Sequence, residues 1–502
     1  MADNRKARAK KNIVTSLASQ VIVLLCGLVV PRLMIGAFGS EAYGATASIT
    51  QFLAYITLLE GGVGGVARAV LYKPLAEKDM DAISAIMDEL KAFFRVIGWI
   101  FAGYVLLLAS GFRFLSHIES MDWITSFVLV LVISISSIGQ YFIGISNSIL
   151  LQAAQKTYVT NVVSIAATVI NALSIVILIL QGCSLITVKL VSSCIFFLRP
   201  VALWLYVRKS YPLKRKPAER GKSYLTQKWT GLGQHIAYFL HSNTDIAVLT
   251  ILADLKTVAV YSVYNMIVSH MQSLAVSFSS GMESVFGDML ARDEKNQLQD
   301  TFRTYETILS LVSLLLFSVT AVLIFPFVRI YTAGITDTDY VQPMFGLLMV
   351  LTAVSYCLRM PYHALVIAAG HFRQTKAAAY GEAVLNIGLS VLLVSRYQLN
   401  GVAAATLAAT WFRFLYYVIY LSRNIFYRKI AVFLQRLAVN IAVCFCNGLV
   451  GSLIVWKWNP TDYLSWAVCG GVLTVLLGGI TLGMNLMFFR SDCSSFLRKV
   501  RK

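Results

Sequence analysis

Charge is scarce in this 502-residue chain: 13% of residues are Asp, Glu, Lys or Arg, against roughly a quarter in soluble proteins. With 58% hydrophobic residues and a mean hydropathy of +0.71, this excludes a soluble globular protein. Long polar stretches are lacking too, so no soluble catalytic domain fits beside the apolar segments. A cleavable leader is also not expected. The first apolar run, 13–36, is too long and has no small-residue cleavage site. Of eight cysteines, Cys26, Cys194, Cys357, Cys444, Cys446 and Cys469 lie inside apolar runs, with no further ligands at zinc spacing, and read as small apolar filler. Gly221-Lys222-Ser223 lacks the earlier glycine of a phosphate loop, where Lys216 stands, which excludes a primary ATP pump.

What is present is a series of apolar runs, at roughly 13–36, 43–66, 92–111, 123–147, 158–181, 185–207, 229–252, 258–281, 304–329, 343–367, 377–396, 401–422, 431–456 and 464–489. Each approaches or exceeds the ~20 residues that a bilayer core requires, which predicts an all-α polytopic protein of about 14 spans. The net charge of +19 is explained by orientation. With a cytoplasmic amino terminus, 31 basic residues fall on inner segments and five on outer ones, Arg113, Lys256, Arg329, Arg396 and Lys457. The positive-inside rule then puts both termini in the cytoplasm. The basic charge needs no nucleic acid, and anionic membrane lipids are its natural neighbours.

The second half repeats the first. Val169-Ile170-Asn171 lies over Val384-Leu385-Asn386, and Ala153-Ala154 over Ala368-Ala369, both at a shift of 215. Phe197-Leu198-Arg199 lies over Trp411-Phe412-Arg413 at 214, and Ala42-Tyr43 over Val260-Tyr261 at 218. The expected organisation is a basic tail 1–12, a six-helix lobe 13–207, a basic linker 208–228, a second six-helix lobe 229–422, two extra helices in 423–489, and a basic tail 490–502. Two such lobes, repeated in the same orientation, suit alternating access at a central cleft.

Charged groups within spans are costly and mark functional candidates. Arg32, Arg199, Arg359 and Arg413 read either as cleft-facing cations or as structural partners of carboxylates; Arg199 and Arg413 are repeat mates. A guanidinium fork suits a diphosphate. Arg95, Arg436 and Lys189 are expected to snorkel to the nearer interface, and Glu306 is marginal. Gln234, Tyr238, His241 and Asp245 share one helical face, and Gln20, Glu60 and Asn265 lie on spans expected beside them. His241 and Asp245 read either as a proton or sodium site or as a histidine held by a structural carboxylate. No catalytic residue, metal site or resident cofactor is expected. Asp337-Thr338-Asp339, weighed as a glycosyltransferase metal motif, reads better as a solvated turn.

Three segments carry a family resemblance: Gly39-Ser40-Glu41-Ala42-Tyr43-Gly44; Tyr331-Thr332-Ala333-Gly334-Ile335-Thr336-Asp337 with Tyr340 and Pro343; and Pro361-Tyr362 through Ala368-Ala369-Gly370-His371 and Thr375 to Glu382-Ala383-Val384-Leu385-Asn386. In order and spacing the chain resembles the Wzx-type oligosaccharide-lipid flippases, of the superfamily that includes MATE exporters and the lipid II flippase. The resemblance implies two MATE-like lobes, and transfer of an undecaprenyl-diphosphate-linked oligosaccharide across the bacterial plasma membrane for capsule, exopolysaccharide or O-antigen-type synthesis. It implies a transporter rather than an enzyme, with proton or sodium coupling, working beside a polysaccharide polymerase and other assembly proteins. The extra helix pair looks more like the lipid II flippase. A cation-coupled multidrug exporter, a membrane glycosyltransferase and a non-transporting scaffold are the alternatives.

Overall fold

The computed structural model describes residues 2–60, 62–118, 120–213, 232–279, 281–426 and 429–489, without the side chains of 2–7, 9, 232–238 and 240–242. The expected tail 490–502 and most of the linker 208–228 lie outside the described residues. Fifteen α-helices follow one another with no strand among the described residues: α1 (Ala2–Ala54), α2 (Val63–Glu77), α3 (Met80–Ser116), α4 (Trp123–Gly139), α5 (Ile145–Ala153), α6 (Thr157–Leu180), α7 (Leu185–Ser210), α8 (Leu232–Leu252), α9 (Leu255–Ser277), α10 (Met282–Ala291), α11 (Lys295–Tyr331), α12 (Pro343–Ala368), α13 (Phe372–Asn424), α14 (Ile430–Trp458) and α15 (Tyr463–Phe488).

Where its residues are described, each predicted run lies mostly on helix, so the architecture is that of a multi-pass membrane protein. Ten continuous helical stretches are long and apolar enough to cross a membrane among the described residues. Two of them, α1 and α13, each hold two predicted spans, separated by one non-helical residue: Gly39 (φ 84°) and Gln398 (φ 44°). Side chains of Asp79, Asp122, Ser184 and Asp462 accept hydrogen bonds from free backbone N–H groups at the starts of α3, α4, α7 and α15.

Two spans depart from the continuous α-helix expected of them. The second tightens into a 3₁₀ turn over Tyr55–Glu60, and the fourth widens into a π turn over Gln140–Gly144 between α4 and α5. Sequence periodicity also missed α2 and α10, short helices that each begin at a left-handed glycine, Gly62 (φ 83°) and Gly281 (φ 90°).

Those glycines belong to a wider pattern. Among the described residues, ten of the twelve positive-φ positions, all but Gly39 and Asn459, pair across the halves: Gly62 with Gly281, Lys78 with Asp293, His117 with Gly334, Gln155 with Gly370, and Gly182 with Gln398, at separations of 215 to 219 residues. Backbone torsion thus carries the same duplication as the sequence.

The chain divides into two units, 1–239 with 254–259, and 240–253 with 260–502. In the first, α3 buries Ile83, Met87, Leu90, Phe94, Ile97, Phe101, Val105, Leu108 and Phe112, an apolar stripe at helical spacing. Gly44 approaches the Leu255 carbonyl so closely that a Cβ there would lie 1.8 Å from its oxygen. In the second unit, Tyr362 is ringed by Phe302, Phe414 and Phe433 in edge-to-face contacts. The extra helices α14 and α15 pack on α11 through Val322, Leu323, Cys469, Leu473 and Leu477.

Candidate functional site

The intramembrane charges sort into four groups. In the second unit, Glu382 is fully buried and receives hydrogen bonds on both oxygens, from Arg359 of α12 and from Arg413 Nη1 at 2.5 Å. Arg413 Nε donates to the Tyr417 hydroxyl (2.9 Å), on which the His363 ring stacks. Glu382 and Arg413 sit on the two limbs of α13 either side of Gln398, so the carboxylate ties both limbs to α12. Two cations against one acid leave this buried cluster with one formal positive charge.

The second group joins α8, α9 and α13. Tyr261 donates to Asp245 Oδ2 (3.0 Å), and the Thr406 hydroxyl lies 3.1 and 3.2 Å from the two Asp245 oxygens. Asn386 Nδ2 donates to the same hydroxyl at 2.8 Å. Asp245 is buried among hydrogen-bonding groups, an arrangement able to hold a proton or a small cation. The Gln234, Tyr238 and His241 side chains lie outside the described ones, and Asn265 is half-buried on α9.

The third group corrects two expectations. Arg436 does not snorkel, and Glu306 is not marginal. They are 6% and 4% exposed, 3.6 Å apart, with Arg436 Nη1 donating to Thr307 (2.7 Å) and Tyr362 donating to Glu306. Burial of both charges is sustained by their pairing, which fastens α14 to α11.

The fourth group lies in the first unit and has a different balance. Arg199 Nη2 donates to Ser164 (2.8 Å) and its guanidinium lies over Phe196. Among the described residues no carboxylate pairs with it. Its repeat mate Arg413 faces Glu382, whereas the position equivalent to Glu382 at the shift of 215 is Ala167. Arg32 is half-buried two turns before the break at Gly39, its guanidinium lying beside Gly36. Gln20 is exposed on α1. Glu60 accepts from the Tyr141 hydroxyl at 2.6 Å, joining the 3₁₀ and π turns. Both turns line a cavity of about 580 Å³ whose wall also includes Lys189. Lys189, expected to snorkel, thus lines this cavity. Neither irregular turn had a clear sequence signal, though glycines at 139 and 144 bracket the second.

The MatE family model matches residues 232–392. No curated protein matches the sequence. Among solved structures, the lipid II flippase MurJ, in an inward closed conformation, superposes over 96% of this chain and 99% of its own with a TM-score of 0.68, at 15% identity. The fold is that of the MurJ and MATE transporters. An inward-facing multidrug resistance MATE transporter of the MOP superfamily matches at TM-score 0.57 and 13% identity, over 82% of this chain and 98% of its own. The eukaryotic MATE transporter AtDTX14 matches at TM-score 0.58 and 12% identity, over 83% and 96%. The larger share covered by MurJ exceeds these by a margin about the size of α14 and α15 together.

Proposed function

We propose that the chain is a flippase of the bacterial plasma membrane that moves an undecaprenyl-diphosphate-linked oligosaccharide from the inner to the outer leaflet for capsule, exopolysaccharide or O-antigen-type synthesis. The observation that carries this reading is the charge balance of the repeat mates. Arg413 is neutralised by Glu382, whereas Arg199 has Ala167 where its acid would stand. An uncompensated guanidinium in a medium of low dielectric attracts an anion strongly, and its planar fork suits phosphate oxygens. The MurJ fold supports the same class, because that neighbour is named for a lipid-linked substrate. Transport follows an alternating-access cycle, and a ligand shifts it only through its differential affinity for the two states. Asp245 is the group we assign to proton or sodium coupling. Both termini are cytoplasmic in this reading, and a polymerase and other assembly proteins are its partners.

The MatE match over 232–392 favours one second reading, a cation-coupled multidrug exporter. Proteoliposomes carrying a fluorescent undecaprenyl-diphosphate oligosaccharide separate the two. The flippase moves it, and Arg199→Ala abolishes movement at unchanged protein level; a wild type that moves cationic dyes and no lipid-linked sugar establishes the exporter.

A further inference from the structure

The 580 Å³ cavity of the first unit gathers several polar side chains on one face of α7 and at the end of α4. On α7, Lys189, Ser192, Ser193 and Phe196 fall at i, i+3, i+4 and i+7, one face of the helix over about 10 Å. Opposite them stand Ser136, Ser137 and Gln140, at the junction of α4 with its π turn. Hydroxyls in apolar helices ordinarily bond back to a carbonyl one turn earlier. Thr50, Thr250 and Ser355 of this chain do so. Ser136, Ser137, Ser192 and Ser193 do not, and among the described residues neither they nor the Lys189 ammonium nor the Gln140 amide has a side-chain partner. Glu60, steadied by Tyr141, closes the wall.

Irregular backbone at membrane depth is tolerated where it is buried in protein or lines a polar cavity, and π turns recur at functional sites. Here the 3₁₀ turn supplies Glu60 and the π turn supplies Gln140 and Tyr141 to one wall. The volume lies within the range of small-molecule sites.

We propose that this cavity is a subsite for an acidic sugar residue of the transported glycan, with the sugar carboxylate on Lys189 and its ring hydroxyls on the four serines, Gln140 and Glu60. The assignment rests on the saccharide-lipid reading above and narrows its substrate class. Charge decides among occupants. Lys189 is the one cation of the lining and stands among hydroxyls, which suits a single sugar carboxylate with its ring hydroxyls, while Glu60, already accepting from Tyr141, is left to accept from a further ring hydroxyl. A diphosphate brings more negative charge than one ammonium offsets and would meet Glu60. A cationic drug would meet Lys189, and a polyprenyl tail would strand six polar groups, each costly to bury unpaired. Phe196 and Tyr141 add ring faces, and Leu53, Ile56, Ile133 and Ile145 an apolar side, against which the carbon face of a sugar ring can pack.

The test uses the full chain in nanodiscs, titrated calorimetrically with a trisaccharide ending in glucuronic acid and with its twin ending in glucose. Wild type is expected to bind the acidic trisaccharide at least tenfold more tightly. Lys189→Met removes that preference, and Lys189→Arg retains most of it. Ser137→Ala combined with Ser193→Ala weakens both sugars severalfold, an independent check should Lys189→Met fail to fold. Equal binding of the twins by wild type, an undiminished preference in Lys189→Met, or displacement of both sugars alike by equimolar pyrophosphate would overturn the assignment. Translocation of the lipid-linked oligosaccharide, measured in parallel, keeps the two ideas apart. Movement without a sugar preference removes the subsite alone, whereas a Lys189-dependent preference without movement removes the flippase reading alone.

Discussion

Arg199 and Arg413 occupy equivalent positions in the two halves of a duplicated chain, yet among the described residues only Arg413 of the two faces a carboxylate. The difference reduces to one residue on the preceding helix, Glu382 in the second half against Ala167 in the first. A buried ion pair holds helices together, while an unpaired guanidinium is available to an anionic ligand. In the function proposed above, that one difference separates a structural contact, at Arg413, from a binding group, at Arg199.

Supplying the missing acid should reverse that conversion. Ala167→Glu is expected to give Arg199 a partner and to leave thermal stability in detergent unchanged or raised, while transport of the lipid-linked oligosaccharide falls at least tenfold. Paired melting and proteoliposome measurements check both halves of the statement. Full transport by a well-folded Ala167→Glu protein removes Arg199 from the binding machinery.

The cluster around Glu382 predicts an order of stabilities. Glu382→Gln leaves two buried guanidinium groups without a counter-charge and should cost about 3–5 kcal/mol. Arg413→Ala leaves a neutral Arg359–Glu382 pair and one unsatisfied oxygen, for about 1–3 kcal/mol. Arg199→Ala, which breaks one hydrogen bond to Ser164, should cost less than either. Urea or thermal unfolding of the three purified variants tests the ranking, and an Arg199→Ala protein less stable than Glu382→Gln would contradict it.

Asp245→Asn keeps an acceptor for the Tyr261 hydroxyl and nearly the same shape, so the protein should fold normally. The group assigned to coupling is then gone. Imposed proton and sodium gradients, each applied across proteoliposomes, should accelerate transport by wild type in one case and leave the variant at its gradient-free rate. A variant still accelerated by the gradient that drives wild type excludes Asp245 from coupling.

Gln398 divides α13 with φ 44° and ψ −121°, a conformation open to glycine and strained for other residues. Relief of about 1–3 kcal/mol, offset by up to about 1 kcal/mol from the greater freedom of an unfolded glycine, predicts that Gln398→Gly stabilises the protein by about 1 kcal/mol. A rise of the melting temperature checks it, and a fall would mean that the Gln398 side chain makes a contact worth more than the strain.

Much of this was legible in the sequence, for reasons that differ by feature. The spans were readable because the bilayer imposes a length and a composition on every crossing helix. The repeat was readable because motifs such as Val169-Ile170-Asn171 kept their spacing. The pairing of Arg413 with Glu382 was only half readable: the sequence showed both charges inside spans but not which helices meet. Arg436 was misjudged because distance along a helix from its end suggests snorkelling, whereas the neighbouring helices decide which way a long side chain turns. The 3₁₀ and π turns were invisible, since a shift of one residue in hydrogen-bond register leaves the apolar pattern almost intact.

The five left-handed turns shared by the halves have outlived the residues that occupy them. One pair is still glycine in both copies, three keep glycine in one copy only, and one has it in neither. Between the two halves, the direction of the chain at these corners has thus been kept more faithfully than the amino acid that makes the corner easy. Ancient duplications whose sequences have drifted beyond comparison should remain visible as a rhythm in torsion angles, read along a single chain.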